Sequence, residues 1–226
     1  MTDPSPPPLP PLVRQAERLT TLGLAPGGDG PALAAAAAEL ERVTPPGALL
    51  VLHERLAPSS QLATLMRLPA PGRAGTRGEQ RPGFVVADMT DVDEFLPVPE
   101  ADVPDVEVYA LTGVTRGDDL RNWSPAEAAP ALARKQRLPL TLVEGIHWVL
   151  QTPAVLEPNY CFMTIASRKI RPGGEPDKRT PALWISSGTG RDGAARRGAP
   201  KVGWCWWGNR HTWLGVASCE ARVGVP

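Results

Sequence analysis

Four of the chain's seven tryptophans fall in the nineteen residues from Lys201 to Cys219. Trp204, Trp206, Trp207 and Trp213 share that stretch with Cys205 and His211. Aromatic side chains settle best on a pleated, half-buried surface. The alternation in Val202–Trp207 and Thr212–Ala217 predicts two strands there, and Gly208-Asn209 suits a two-residue turn between them. In that register Trp206 opposes His211 and Trp204 opposes Trp213, so all four project to one face, and Cys205 and Trp207 to the other. Such a face is either core filling or a platform for a ligand ring or cation.

The rest of the sequence changes its period along its length. Leu12–Leu22 carries helical spacing, and Pro31–Val43 reads as a second helix from Pro31 in its first turn and an alanine run of high propensity. Ala48–Leu52 is a short apolar run suited to a buried strand. Ser59–Leu68 has helical spacing, and Gly83–Ala87 and Val106–Leu111 are strand segments. Ser124-Pro125-Ala126-Glu127 and Thr141-Leu142-Val143-Glu144 are capping boxes, in which hydroxyl and carboxylate satisfy reciprocal backbone N–H groups. The second opens a helix reaching Leu150, with Val143, Ile146, His147 and Leu150 on one face. Tyr160–Ala166, Ala182–Ser186 and the two Trp-rich segments then read as strands. Helices first and strands last predict an α+β fold with a mixed or antiparallel sheet and a C-terminal Trp-rich β-hairpin. Residues 12–226 are expected to form one domain behind a disordered Pro-rich tail, 1–11. Flexible loops are expected near 71–82, 171–180 and 187–200.

The chain is neutral overall, with 24 Lys+Arg against 24 Asp+Glu, so nothing in its net charge points to nucleic acid. The balance is uneven: residues 167–226 hold 11 basic and 4 acidic residues. The two parts are expected to pair with each other, or to present a basic face to a partner. No apolar run reaches a membrane span and no secretory signal is visible. Three cysteines without CxxC spacing fit free thiols in a reducing compartment, so a cytoplasmic location is expected.

Catalytic chemistry has only isolated candidates: His147, His211 and Cys205. His147 lies on an apolar helical face, where a hydrogen-bonded core histidine is the ordinary outcome. No paired ligand spacing suggests a metal, and no motif calls for a cofactor. Gly188-Thr189-Gly190-Arg191-Asp192-Gly193 matches GxGxxG, but no amphipathic helix follows to receive a pyrophosphate. Arg168 and Arg179 flank a Gly/Pro-rich loop, where a guanidinium can hold an anion.

The segments Thr180–Ser186, Lys201–Trp206 and Gly208–Gly215 together resemble the C-terminal signature of an actinobacterial, DUF5701-like family of unknown function. Pro139-Leu140-Thr141, Glu144-Gly145, Cys161-Phe162 and Ser167-Arg168 resemble it upstream. The resemblance implies no reaction. Three functions therefore stand open. One is small-molecule binding by Trp204, Trp206, His211 and Trp213 with Arg168. Another is an enzyme of specialised metabolism using His147, His211 or Cys205. The third is a protein-interaction or scaffold domain acting through its basic loops.

Overall fold

A computed structural model describes residues 6–70 and 79–225. The expected tail at 1–5 and the greater part of the expected loop at 71–82 lie outside the described residues. The chain opens with an α-helical pair, α1 (Leu12–Thr21) and α2 (Gly30–Val43). Asp29 caps α2 by accepting from the Ala32 N–H at 2.9 Å. Leu12, Ala16 and Leu19 of α1 and Leu33, Ala37 and Leu40 of α2 are buried, as helical spacing requires.

Buried Gln15 fastens α1 to the first sheet. Its amide donates to the Ala48 carbonyl at 2.8 Å and accepts from the Leu50 N–H at 2.8 Å. That sheet runs in the order Leu49–Leu52, Val108–Thr112, Ala221–Gly224, all antiparallel. The second sheet is mixed. Its order is Leu214–Val216, Cys161–Met163, Arg179–Ile185, Pro200–Trp206, Phe84–Val85, with parallel pairs at both edges and antiparallel pairs in the middle. The architecture is α+β, as the order of sequence patterns implies.

Helices α3 (Ser59–Leu65) and α4 (Pro125–Arg134) flank these sheets, and α5 (Leu142–Gln151) joins them. The α3 pattern ends earlier than its spacing suggests, because Arg67–Pro69 turns into a short strand against Gln80–Pro82. Both predicted capping boxes form, at Ser124/Glu127 and Thr141/Glu144.

All ten residues of α5 are buried, not just the apolar face that the sequence marks. A helix enclosed on every side must lie between layers. On one side its His147 meets the Leu52 N–H and its Glu144 meets Tyr109. On the other, Trp148 lies 5.5 Å from the Phe162 ring. Gly145 permits that approach, since a Cβ there would come within 2.6 Å of Thr164 Cγ2.

One ionic node holds these layers. Glu144 is fully buried, and Arg222 keeps 2% of its side chain exposed. Arg222 donates to both Glu144 oxygens, at 2.6 and 2.8 Å. Its remaining N–H groups reach the carbonyls of Ala101 at 2.7 Å and Pro139 at 2.9 Å. Glu144 also accepts from the Thr141 N–H and from Tyr109 Oη. Burial and the carboxylate push the Tyr109 hydroxyl well above its ordinary range, so it stays a donor.

A Trp-rich antiparallel hairpin is present, but its strands are Arg179–Ile185 and Pro200–Trp206. The register expected across Gly208-Asn209 does not form. Leu214–Val216 pairs instead with Cys161–Met163, two strands away from Pro200–Trp206. Pro200–Trp206 pairs along its whole length with Arg179–Ile185, and on its other edge only at Lys201–Val202, with Phe84–Val85. The chain does turn, with the Asn209 N–H on the Trp206 carbonyl at 3.0 Å. It is then drawn onto α4. The Trp207 and His211 carbonyls accept from the Ala126 and Asn122 N–H groups, and Arg210 pairs with Glu127.

Removing one member of the buried node leaves the other charged and unpaired. Arg222→Ala should cost about 3–5 kcal/mol of unfolding free energy, read from urea denaturation. The apolar pair Glu144→Leu with Arg222→Met should recover part of that loss. Equal loss in the single and double variants would contradict the account.

Candidate functional site

The aromatic residues run along the mixed sheet, from Trp206 at the Arg179 end of its central ladder to Trp184 near the Ile185 end, as a band rather than a single face. The Trp204 and Trp206 rings meet edge to face at 4.6 Å. His211 and Trp213 do the same at 5.5 Å, and Trp213 and Trp184 at 5.8 Å. The expected pairing of Trp204 with Trp213 is absent, because Leu214–Val216, the strand that Trp213 leads into, lies three places from Pro200–Trp206. Trp206 is 44% exposed, whereas Trp148, in the core, is 2% exposed. Trp184, Trp204 and Trp213 lie between those limits. These indoles are therefore wall and rim more than core.

Trp184 is the pivot of the band. Its register partner is Lys201, whose ammonium stands 4.7 Å from the indole centroid. Its ring lies against Gly203, where any Cβ would collide with the far edge of the indole. Lys201 is held in turn by Asp192, at 2.6 Å, and the same Asp192 oxygen accepts from Ser186 Oγ at 2.7 Å. Lysine and serine hold the Asp192 carboxyl below its usual range against the opposing effect of burial. The segment 187–199, which contains the GxGxxG match, consists of two 3-10 turns pinned by these contacts. No helix of dinucleotide-binding type follows it.

Two clefts meet at Trp184. One, of about 530 Å³, is lined by Trp184 and Trp204 together with Asp88, Arg191, Asp192 and Lys201. The other, of about 430 Å³, is lined by Trp184, Trp213, Pro158, Cys161 and Ile185. The turn at Pro158 and Asn159 is braced from inside by Arg116. Its side chain is fully buried, grips Asp118 at 2.7 Å and Glu157 at 3.1 Å, and donates to the Val155 carbonyl.

The other sequence candidates fall outside these clefts. Arg168 stacks on Trp207 at 4.0 Å and donates to the Asp177 carbonyl. Arg179 is bidentate on Asp91, at 2.6 and 3.0 Å, and so is already neutralised. His147 is fully buried, with Nδ1 at 2.9 Å from the Val143 carbonyl. Cys205 is buried, with Sγ at 3.1 Å from Met163 Sδ. Burial pushes the thiols of Cys161 and Cys205 up to about 12, which keeps them protonated and unreactive. Among the described residues His211 Nε2 has no hydrogen-bond partner, and burial lowers the pKa of the ring.

Lys201, Asp192 and Trp184 were not singled out by pattern as site residues. Their meeting follows from reading the strands either side of the 187–199 segment as one hairpin, which sets Trp184 opposite Lys201.

Fold and clefts together define an α+β protein with an aromatic, mixed-polarity cleft at one end of a mixed sheet. Residues 18–225 match DUF5701, a family of unknown function, and the chain belongs to that family. No curated protein and no solved structure matches it. Among the described residues, no helix is long and apolar enough to cross a membrane.

Two measurements check this geometry. Gly203→Ala must displace the Trp184 indole, so it should change the tryptophan emission spectrum and lower stability by about 1–3 kcal/mol. Unaltered emission would count against the contact. His147 is pushed down to about 4 by burial, while the unfolded chain binds that proton near 6.5. Stability is then complete above pH 6.5 and declines as pH falls through 4, by roughly 3 kcal/mol. His147→Gln should flatten that part of the curve.

Proposed function

We propose that the protein binds a small organic molecule in the clefts that meet at Trp184. The observation that carries this reading is the half-exposed indole of Trp184, which forms the shared wall of two concave spaces. Volumes of about 530 and 430 Å³ suit a small ligand. An aromatic wall with a few convergent polar groups is the usual composition of such a site. The Trp204, Trp206, His211 and Trp213 part of the band extends it on either side. Arg168 braces the band through Trp207 and does not line either cleft.

Binding is favoured over catalysis by the state of the reactive groups. The Cys205 thiol is protonated and buried, and His147 is sealed in the core with both ring nitrogens engaged. Three free, buried thiols accord with a reducing compartment, and we place the protein in the cytoplasm on that ground.

A fragment library observed by saturation-transfer NMR tests the reading. Hits are expected with the native protein, and Trp184→Ala should weaken them. Loss of a stacking platform costs about 1–3 kcal/mol, roughly 5- to 150-fold in Kd. Trp123→Ala removes an indole that lines neither cleft and should change nothing. Hits indifferent to Trp184→Ala, or no hits at all, would overturn the proposal.

A further inference from the structure

The larger cleft narrows the class of ligand, on the assumption that the binding reading above holds. Its charged lining consists of two pairs. Asp192 binds Lys201 at 2.6 Å, and Asp88 binds Arg191 at 3.2 Å. Two carboxylates and two cations sum to zero, so a ligand with net charge meets both signs close together. Nearby Arg196 stacks on the Phe84 ring at 4.4 Å and does not itself line the cleft.

A cation is disfavoured for a further reason. A cation against Trp184 would stand close to the Lys201 ammonium, itself 4.7 Å from the indole centroid, and meet like charge. An anion drawn to Lys201 meets Asp192 on the same ammonium.

A neutral molecule dense in hydroxyl groups has neither difficulty. Each hydroxyl donates once and accepts twice, so it can bridge a carboxylate and an ammonium. Ser186 and Lys201 both contact Asp192 Oδ2, and Oδ1 takes no partner among the described residues. Lys201 keeps N–H donors beyond the one given to Asp192. Ser187 and Thr189 add hydroxyls at the rim. The negative face of an indole attracts polarised C–H groups, which a pyranose presents on its apolar side.

We infer that this cleft takes a neutral carbohydrate, with a pyranose ring against Trp184 and its hydroxyls between Asp192 and Lys201. The sequence carries the same juxtaposition, since Trp184 and Lys201 are register partners across the segment that holds Asp192.

Indole N–H resonances of the full chain, followed by NMR, test this with defined probes. The panel is glucose, galactose, mannose, N-acetylglucosamine, maltose, cellobiose and trehalose, alongside benzoate and tetramethylammonium. At least one sugar should shift the Trp184 resonance saturably. Asp192→Asn and Lys201→Met should each weaken that sugar roughly tenfold. Trp184→Phe, which keeps a ring with little disturbance, should retain binding that Trp184→Ala abolishes, both read at the indole N–H of Trp204, which also lines the cleft. Saturable shifts with benzoate or tetramethylammonium but no sugar would overturn the carbohydrate assignment and leave the binding cleft standing. Sugar binding untouched by both Asp192→Asn and Lys201→Met would overturn the assigned placement. Silence from every probe would overturn this inference, while the fragment screen decides the binding reading.

Discussion

The Glu144 carboxylate is the point on which the layers of this protein converge. It begins as a capping-box acid, closing the N-terminus of α5 through the Thr141 N–H. It then receives Arg222 from the last strand and Tyr109 from the middle strand of the first sheet. A carboxylate buried without a cation is not tolerable at this depth, so the C-terminal strand is a condition of burying α5. Arg222 extends the constraint to Ala101 and Pro139, which ties the 3-10 turn Pro99–Ala101 and the short strand Leu138–Pro139 to the same centre.

The uneven charge of the sequence finds its explanation in pairs of this kind. Five basic residues of the C-terminal part, Lys169, Arg179, Arg191, Arg210 and Arg222, pair with carboxylates of the acidic part before it. Arg179 and Lys169 meet Asp91, Lys169 also meets Glu94, Arg210 meets Glu127 and Arg191 meets Asp88. Arg179 and Lys169 hold the Asp91 carboxyl far below its ordinary range, with burial opposing them. Arg210, with the Ser124 hydrogen bonds, lowers Glu127 to about 2. The exposed pairs among these add little stability, but they set where loops dock. The Arg210 contact lays the Trp207–Trp213 segment over α4.

Local chemistry was legible in the sequence, and long-range pairing was not. Both capping boxes, the α1 and α2 stripes and the absence of a nucleotide-binding helix after Gly193 follow from neighbouring residues. The α+β class follows from the order of the patterns. The partner of Leu214–Val216 does not, because a strand's edge depends on which other edges are already filled. For the same reason the four-residue Trp/His grouping dissolves into two ring pairs. Trp184 then enters from a strand whose own pairing had not been traced. Likewise α5 reads as amphipathic from His147 and Glu144, yet both polar groups are satisfied inside the core.

Trp184 has one further consequence. A single indole, resting on a position kept bare by Gly203, divides two adjoining spaces of opposite character. One is lined by ion pairs, and the other by proline, isoleucine and a second indole. Any shift of the ring toward one space enlarges the other by the same stroke. Under the proposed binding role the two compartments would not fill independently: the shape of whatever occupied the first would set the room left for the second.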